Sequence, residues 1–306
     1  MSQKAGTLRA LVTGANGLLG SRLTPLLCET FPDARIFAAC KSGIVRGARG
    51  SQVLPGDLTD ASVRRAALTI ARPDIIINLA SLTDVDLCER EPHLAHTVNT
   101  ELVSLLMREA PDAKFVLISS DYVFDGDRGC YLPQDPANPK TVYGMTKLAA
   151  ELIVAQNAKS LIIRAAGTFD WYSQNNFFWF VAKRLGAGKN INAAQDTFYT
   201  PIWAQDLSTA IVRAIRANMS GILHLAGADR VSRYDFALLV ARELMLAQMS
   251  AIPTMQSSLP WRAKRPTDSS LNSVECYRKL NLSPPGLPDA IKRCSEEMHE
   301  AYRLTR

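Results

Sequence analysis

The sequence predicts a doubly wound, parallel α/β sheet joined to a smaller, discontinuous α/β domain. Three observations lead there. Short, uninterrupted apolar runs alternate with helical stretches through the first half, and strands without polar alternation are covered on both faces, as in parallel sheets flanked by helices. A glycine-rich turn, TGANGLLG at 13–20, falls directly between the first apolar run and the first helical stretch. The second half is less regular but returns late to one more apolar run, GILHL at 221–225.

Taken in order, the apolar run at 8–13 (LRALVT) reads as the first strand and 18–31 as the first helix. Strands follow at 35–40 and 52–54, a helix at 61–71, and a fully buried strand at 74–79 (DIIINL). A helix at 101–110 precedes a buried strand at 114–119 (KFVLIS), then a long helix at 140–157 and a strand at 160–164. Beyond these, an aromatic-rich helix is expected at 175–185, helices at 205–217 and 233–246, a loop rich in Pro, Ser and Arg at 251–270, and two closing helical segments. The expected division is a cofactor-binding domain of residues 1–165 plus 204–227, and a substrate-binding domain of 166–203 plus 228–306. Phe177, Phe178, Trp179 and Phe180 are four consecutive aromatics that cannot all face one side of a helix, so some should meet the other domain, a ligand or another subunit.

The 306 residues and 47% hydrophobic content suffice for a large core. No apolar run reaches the roughly 18–20 residues that span a bilayer, and the N-terminal stretch lacks a secretory pattern, so a cytoplasmic protein that does not enter membranes is expected. The net charge of +6 comes from 35 basic residues scattered among 29 acidic ones, with no basic block of the kind that binds nucleic acid. The six cysteines form no CxxC pair and the four histidines add no ligand spacing, so no metal or disulfide framework is expected. His224, between apolar residues, reads as a satisfied core histidine.

The glycine turn carries the first chemistry. Gly14 permits the tight turn, Gly17 close approach to a pyrophosphate, and Gly20 tight packing of helix on strand. The helix start then offers free N–H groups to the anion, with Asn16, Leu18 and Leu19 beside it. After the second strand an NAD enzyme places an acid against the ribose 2′-hydroxyl, whereas NADP enzymes favour basic residues. Here Cys40 is followed by Lys41, with Arg46 and Arg49 in the loop. NADP(H) is therefore favoured over NAD(H), with Lys41 or Arg46 near the 2′-phosphate; an ordinary solvated basic loop is the other reading. Asp57 and Leu58 follow the third strand, where Asp57 is placed for the adenine edge or for a helix cap, as Asp60 is.

Tyr143 and Lys147 stand four apart near a helix start, hence on one face. A tyrosine titrates near ~10 and is a poor acid–base at neutral pH. A neighbouring ammonium lowers that value, so Lys147 is expected to acidify Tyr143, which then exchanges a proton with a carbonyl oxygen as hydride is transferred. Ser120, at the C-terminal end of a buried strand where ligands of open α/β sheets bind, can hold the same oxygen, and Ser119 precedes it.

The motifs TGANGLLG, NLASLTDVDLCE, LISSDYVFDG, YGMTKLAAE and RPTDSSL, in this order, together resemble the extended short-chain dehydrogenases, and within them the dTDP-4-dehydrorhamnose reductase family with its relative, the regulatory β subunit of methionine adenosyltransferase. The likeness runs from about residue 7 to 300. It implies a Rossmann sheet and NADPH reduction of a 4-keto-6-deoxy nucleotide sugar. It also implies that Asp121 contacts the sugar, that Ala80, Ser81 and Leu82 line the nicotinamide half, and that Ala165 and Ala166 lie beside it. Substrate-domain candidates are Asn176, Phe177, Trp203 and Arg265, the last suited to a diphosphate. Two departures stand out. A family tryptophan after the RTS-like strand end is replaced by RAAGTF, with Trp171 displaced. Some members dimerise around magnesium through glutamates, one in the first helix, where this chain has Arg22; no metal is carried over and a homodimer stays open. Alternatives are a sugar-nucleotide epimerase or dehydratase, against which Tyr122 replaces the dehydratase glutamate, a reductase of another ketone, and a non-catalytic NADP-binding regulatory subunit.

Overall fold

The computed structural model describes residues 7–304 except 46 and 48; Arg46, a candidate for the 2′-phosphate, lies outside the described residues. The first half of the chain runs β1 (Arg9–Thr13), α1 (Gly20–Thr30), β2 (Arg35–Cys40), β3 (Ser51–Pro55), α2 (Ala61–Ala71), β4 (Ile75–Asn78), α3 (Val85–Arg90), α4 (Pro92–His96), a π turn at Thr97–Glu101, α5 (Leu102–Glu109), β5 (Lys114–Ser120), α6 (Val142–Val154) and β6 (Leu161–Ala165). Then come α7 (Phe177–Gly186), β7 (Ile191–Ala194), β8 (Phe198–Tyr199), α8 (Ala204–Arg216), β9 (Gly221–His224), β10 (Val231–Ser232), α9 (Arg233–Glu243), β11 (Ala251–Thr254), α10 (Val274–Lys279) and α11 (Leu287–Leu304).

Seven strands form one sheet in the order β3-β2-β1-β4-β5-β6-β9, with every pair parallel. Alternate residues of each strand feed opposite faces, as the pleat requires. Val12, Ile77, Val116 and Ile163 pack with α1, α8 and α10 on one side. Leu11, Ile76, Leu117 and Ile162 pack with α2, α5 and α6 on the other. The doubly wound parallel sheet expected from the apolar runs is what the chain builds. No helix among the described residues is long and apolar enough to cross a membrane.

The order reverses between β1 and β4, which is where open α/β sheets leave a crevice at their carboxyl ends. Gly14 sits there with φ +63°, and a Cβ on it would lie 2.7 Å from the Ala80 nitrogen at the end of β4. Gly20 is as tight, its Cβ position 2.6 Å from the Gly14 carbonyl. Gly14→Ala is therefore expected to cost about 1–3 kcal/mol through backbone strain alone, to be checked by denaturant unfolding against wild type.

A second core gathers Phe169, Phe178, Trp203, Phe236 and Ile291 from α7, α9, α11 and their loops. The segment 251–270 is not all loop: β11 pairs in parallel with β7, Ala251 opposite Ile191. It is short and holds Pro253, which weakens any strand signal. β8 and β10 form another two-stranded piece, antiparallel, with Val231 opposite Tyr199. The helix α10 returns to the first core through Cys276, Tyr277 and Leu280, so the chain after residue 228 contributes to both cores. Of the four consecutive aromatics, Phe178 is fully buried in the second core and Phe180 is exposed. Arg22 of α1 ties the cores together. It donates to Asp170 through two nitrogens at 2.8 and 2.9 Å, and to Glu297 of α11 at 2.6 Å.

Candidate active site

The carboxyl ends of β1, β4, β5 and β6 open onto a cavity of about 660 Å³. At one end Gly14, Asn16, Gly17, Leu18 and Leu19 line it. No side chain caps the start of α1, although the Ser21 and Arg22 N–H groups already donate to the Gly17 and Leu19 carbonyls, and a helix start of this kind favours an anion. Asn16 is held by donating to the Ser42 hydroxyl at 2.9 Å. Ser42 and Ile44 border a smaller recess next door, which Asn16 and Gly17 share.

In the middle, Ser119, Ser120, Asp121, Tyr143 and Lys147 line the same cavity. Ser120 ends β5, and the backbone turns at once into a short 3-10 segment, Asp121–Val123, capped by the Ser120 hydroxyl. That hydroxyl donates to Asp121 at 2.8 Å, and the Tyr143 phenol is also hydrogen-bonded to it. Thr141 caps α6 by accepting from the Gly144 N–H at 3.0 Å, which starts the helix so that Tyr143 and Lys147 share its inner face. Lys147 Nζ donates to the Ile118 carbonyl at 2.6 Å.

The expectation that Lys147 acidifies Tyr143 is corrected by the electrostatics. Desolvation pushes the phenol well above its ordinary range, and the Asp121 carboxylate and Cys88 push it the same way. Burial lowers Lys147 to about 8, against the pull of Glu151 and Cys88. The phenol is thus a proton holder, not a ready phenolate. Asp121 is driven up to about 6 by burial, opposed by hydroxyl donation from Ser269 at 2.5 Å and from Ser120.

Ser81 lines the cavity, whereas Ala80 and Leu82 border the loop without lining it. Leu82 is fixed through its backbone, its N–H donating to Asn99 at 2.7 Å. Lys41 stands outside the cavity, paired with Asp57 at 2.7 Å, their side chains 70% and 40% exposed. Asp57 also accepts from the Thr59 N–H at 3.0 Å, and Asp60 caps α2. Leu58 is buried in the sheet core. Ala165 and Gly167 line the cavity, while Ala166 between them is fully buried.

At the far end Asn176, Phe177 and Arg265 line the cavity. Asn176 is also the cap of α7, accepting from the Trp179 N–H at 3.2 Å. Trp203 does not reach the cavity. Its indole is 2% exposed, in the second core, flanked by the Arg22 and Arg293 guanidinium groups at 5.3 and 5.0 Å. Arg265 donates to Asp86 at 3.0 Å and lies 4.5 Å from the centre of the Trp261 ring.

Sequence reasoning missed several residues of this site. Arg233, the first residue of α9, enters the cavity with its guanidinium over Phe177 at 5.2 Å and Tyr199 at 5.0 Å. The Nε–H groups of Arg233 and Arg265 are both buried without a partner among the described residues. Asn99, on the π turn, accepts from Ser81 and Leu82 and donates to Thr146 at 3.0 Å, joining the β4 loop to α6. Glu151 and Arg164 lie behind the cavity. Their signal was readable: a lone arginine inside the apolar run LIIRA demands a buried acid, and Glu151 is one turn beyond Lys147. His224 is buried as expected, hydrogen-bonded through Nδ1 to the Tyr131 carbonyl at 3.0 Å, and desolvation drives it down to about 3, which keeps it neutral.

Known proteins resemble this chain over its length. The family described as the RmlD substrate binding domain matches residues 8–300. A dTDP-4-dehydrorhamnose reductase of Salmonella typhimurium is 31% identical over 259 residues, which is 79% of this chain and 86% of that protein. A solved structure of dTDP-4-dehydrorhamnose reductase from Bacillus anthracis, in complex with NADP, superposes with a TM-score of 0.84 at 26% identity, covering 95% of this chain and 100% of that one. A hypothetical dTDP-4-dehydrorhamnose reductase from Sulfolobus tokodaii is 37% identical with a TM-score of 0.78, covering 89% and 94%. With motifs, sheet order and relatives in agreement, the chain belongs to the dTDP-4-dehydrorhamnose reductase family.

Proposed function

We propose that this chain reduces the 4-keto group of a nucleotide-activated 6-deoxysugar with NADPH, with Tyr143 giving the proton and Ser120 holding the keto oxygen. The observation that carries this reading is one cavity holding Ser120, Tyr143 and Lys147 beside an uncapped helix start. The names of the relatives support the ketosugar, and the NADP held by the Bacillus anthracis protein supports the cofactor.

The residues fit a dinucleotide. The tight Gly14 turn and the positive end of α1, which no side chain caps, suit its pyrophosphate. Lys41 is the cation for the 2′-phosphate; its pairing with Asp57 is exposed and therefore weakly held. When bound, NADPH supplies the hydride. The chain does the rest. Tyr143 stays protonated at neutral pH, so its phenol has a proton to give to the oxygen that becomes the alcohol. Ser120 lies within a hydrogen bond of that phenol and orients the oxygen. Lys147, anchored by one N–H on Ile118, keeps two for the nicotinamide ribose. Asp121, with two hydroxyl donors already, binds a sugar hydroxyl. Where dehydratases carry a second carboxylate this chain has Tyr122, whose ring packs on Tyr143 with centroids 5.9 Å apart. Fed by NADPH and an activated sugar, the reaction is placed in the cytoplasm.

Arg265, with its unsatisfied Nε–H, takes the diphosphate, and the Arg233 guanidinium lies 5.9 Å from the same Trp261 ring. Arg265→Ala is expected to raise KM for the nucleotide sugar roughly tenfold or more, about 1.4 kcal/mol, with KM for NADPH unchanged. The test is NADPH oxidation with a 4-keto-6-deoxy nucleotide sugar. Turnover is the expected result; tight NADPH binding without turnover on any such sugar refutes the substrate assignment.

A further inference from the structure

Behind the catalytic face lies a buried chain of charges that the reaction as described does not use. Glu151 is one helical turn from Lys147 on α6, and its carboxylate meets two elements at once. It accepts from the Ser119 hydroxyl of β5 at 2.5 Å, and from Arg164 of β6 through Nε at 3.0 and 3.2 Å and the terminal nitrogen at 2.7 Å. Both side chains of the pair are only 4% exposed. Arg164 is itself held by the Pro133 carbonyl at 3.2 Å and faces His224 Nε2 at 3.5 Å. The cluster sits between the strand that ends in Ser120 and the helix that carries Lys147, with Ser119, Glu151, Arg164 and His224 all buried.

We propose that Glu151, clamped by Arg164 and Ser119, is a positioning residue that keeps Lys147 charged and fixed in the active site. The inference rests on the reductase reading for its catalytic meaning, but its physical content stands without it. A buried ammonium with one carbonyl partner loses its proton easily. The charges facing it decide whether it does. On its own helix these are Glu151 and Tyr143. From α3 comes Cys88, a thiol pushed up to about 11 by burial and by Asp84 and Glu89, hence uncharged at neutral pH. From β5 come only the hydroxyls of Ser119 and Ser120, with the carboxylate of Asp121 beyond Tyr143. From β6 comes Arg164, a like charge neutralised by its pairing with Glu151. Glu151, though paired with Arg164, is the carboxylate of α6 that raises Lys147 against the larger effect of burial. It is locked by two other elements, so it cannot swing away.

The sign follows. With Lys147 lowered to about 8, any activity that needs its ammonium fades as pH rises through that value. Removing the negative charge at 151 lowers it further and brings the loss to lower pH. The first measurement is an NMR titration of the Lys147 side chain in the cofactor-free protein, for wild type, Glu151→Gln and Glu151→Asp. The expected midpoint is near 8 in wild type and lower by roughly one pH unit in Glu151→Gln, with Glu151→Asp falling between because it keeps the charge one methylene farther away. The alkaline limb of kcat/KM for the ketosugar should move in parallel. A folded Glu151→Gln whose midpoint and limb both stay put, with activity reduced equally at every pH, overturns the proposal, as does a wild-type midpoint at the ordinary lysine value near ~10.4. Should the glutamine variant not fold, the Asp variant alone decides, a lowered midpoint supporting the proposal and an unmoved one ending it. The titration does not depend on which ketone is reduced, so failure of the substrate assignment leaves it readable.

Discussion

Tyr143→Phe is expected to lower kcat by about 10²–10⁴-fold, the range that a positioned general acid contributes, while NADPH affinity stays at the wild-type value. The substitution removes one oxygen and keeps the ring, so the edge contact with Tyr122 survives and the fold of α6 is untouched. What goes is a proton beside Ser120 that desolvation holds on the phenol. Single-turnover oxidation of bound NADPH separates this from slow product release: the hydride step itself should slow. A variant that reduces the ketosugar at the wild-type rate would show that the proton comes from elsewhere. The buried Asp121, driven up to about 6, is then the next donor to test.

Arg164→Met should give the largest loss of stability of any single change in the sheet, about 3–5 kcal/mol, the cost of leaving a buried carboxylate without its partner. For a chain of this size that corresponds to a fall in Tm on the order of 10 °C. The pair is 4% exposed on both sides, so water cannot compensate. The double variant Arg164→Met with Glu151→Met should regain most of the loss, because two apolar side chains of similar length remove both charges together. If the single variant melts with wild type, the ion pair is not the anchor its geometry makes it. Such stability recovered in the double variant would come without the charge at Lys147, so its alkaline limb should still lie low.

The sheet half was legible because its signals are local. DIIINL and KFVLIS carry unbroken apolar runs, Ile75 to Ile77 and Phe115 to Ile118, without the polar alternation of a half-exposed strand, and runs of that kind suit the middle of a parallel sheet. The Gly14 turn, Tyr143 and Lys147 were found because the chemistry dictates spacing along the chain. The far side of the cavity was not legible to the same degree. Arg265 was read from its motif, but Arg233 reaches the cavity from α9, placed by packing against Phe177, Tyr199 and Trp261 that no periodicity records. Trp203 was read as a site residue for its place in FYTPIWAQDL, yet its large apolar face went to the second core. β7, β8, β10 and β11 are two to four residues long, too short for alternation to show. An acidic Tyr143 was expected from the spacing, but burial holds its phenol above the ordinary range.

The path of the chain carries a last consequence. It leaves the sheet core after β6, returns for α8 and β9, leaves again for α9, returns with α10 and leaves with α11. Neither core is built from a continuous stretch, and Arg22 joins them by side chains as well. Loosening the smaller core therefore pulls on strands and helices of the larger one. One cooperative transition is the expected outcome of a calorimetric scan, and two resolved transitions would show that the interleaved cores melt apart.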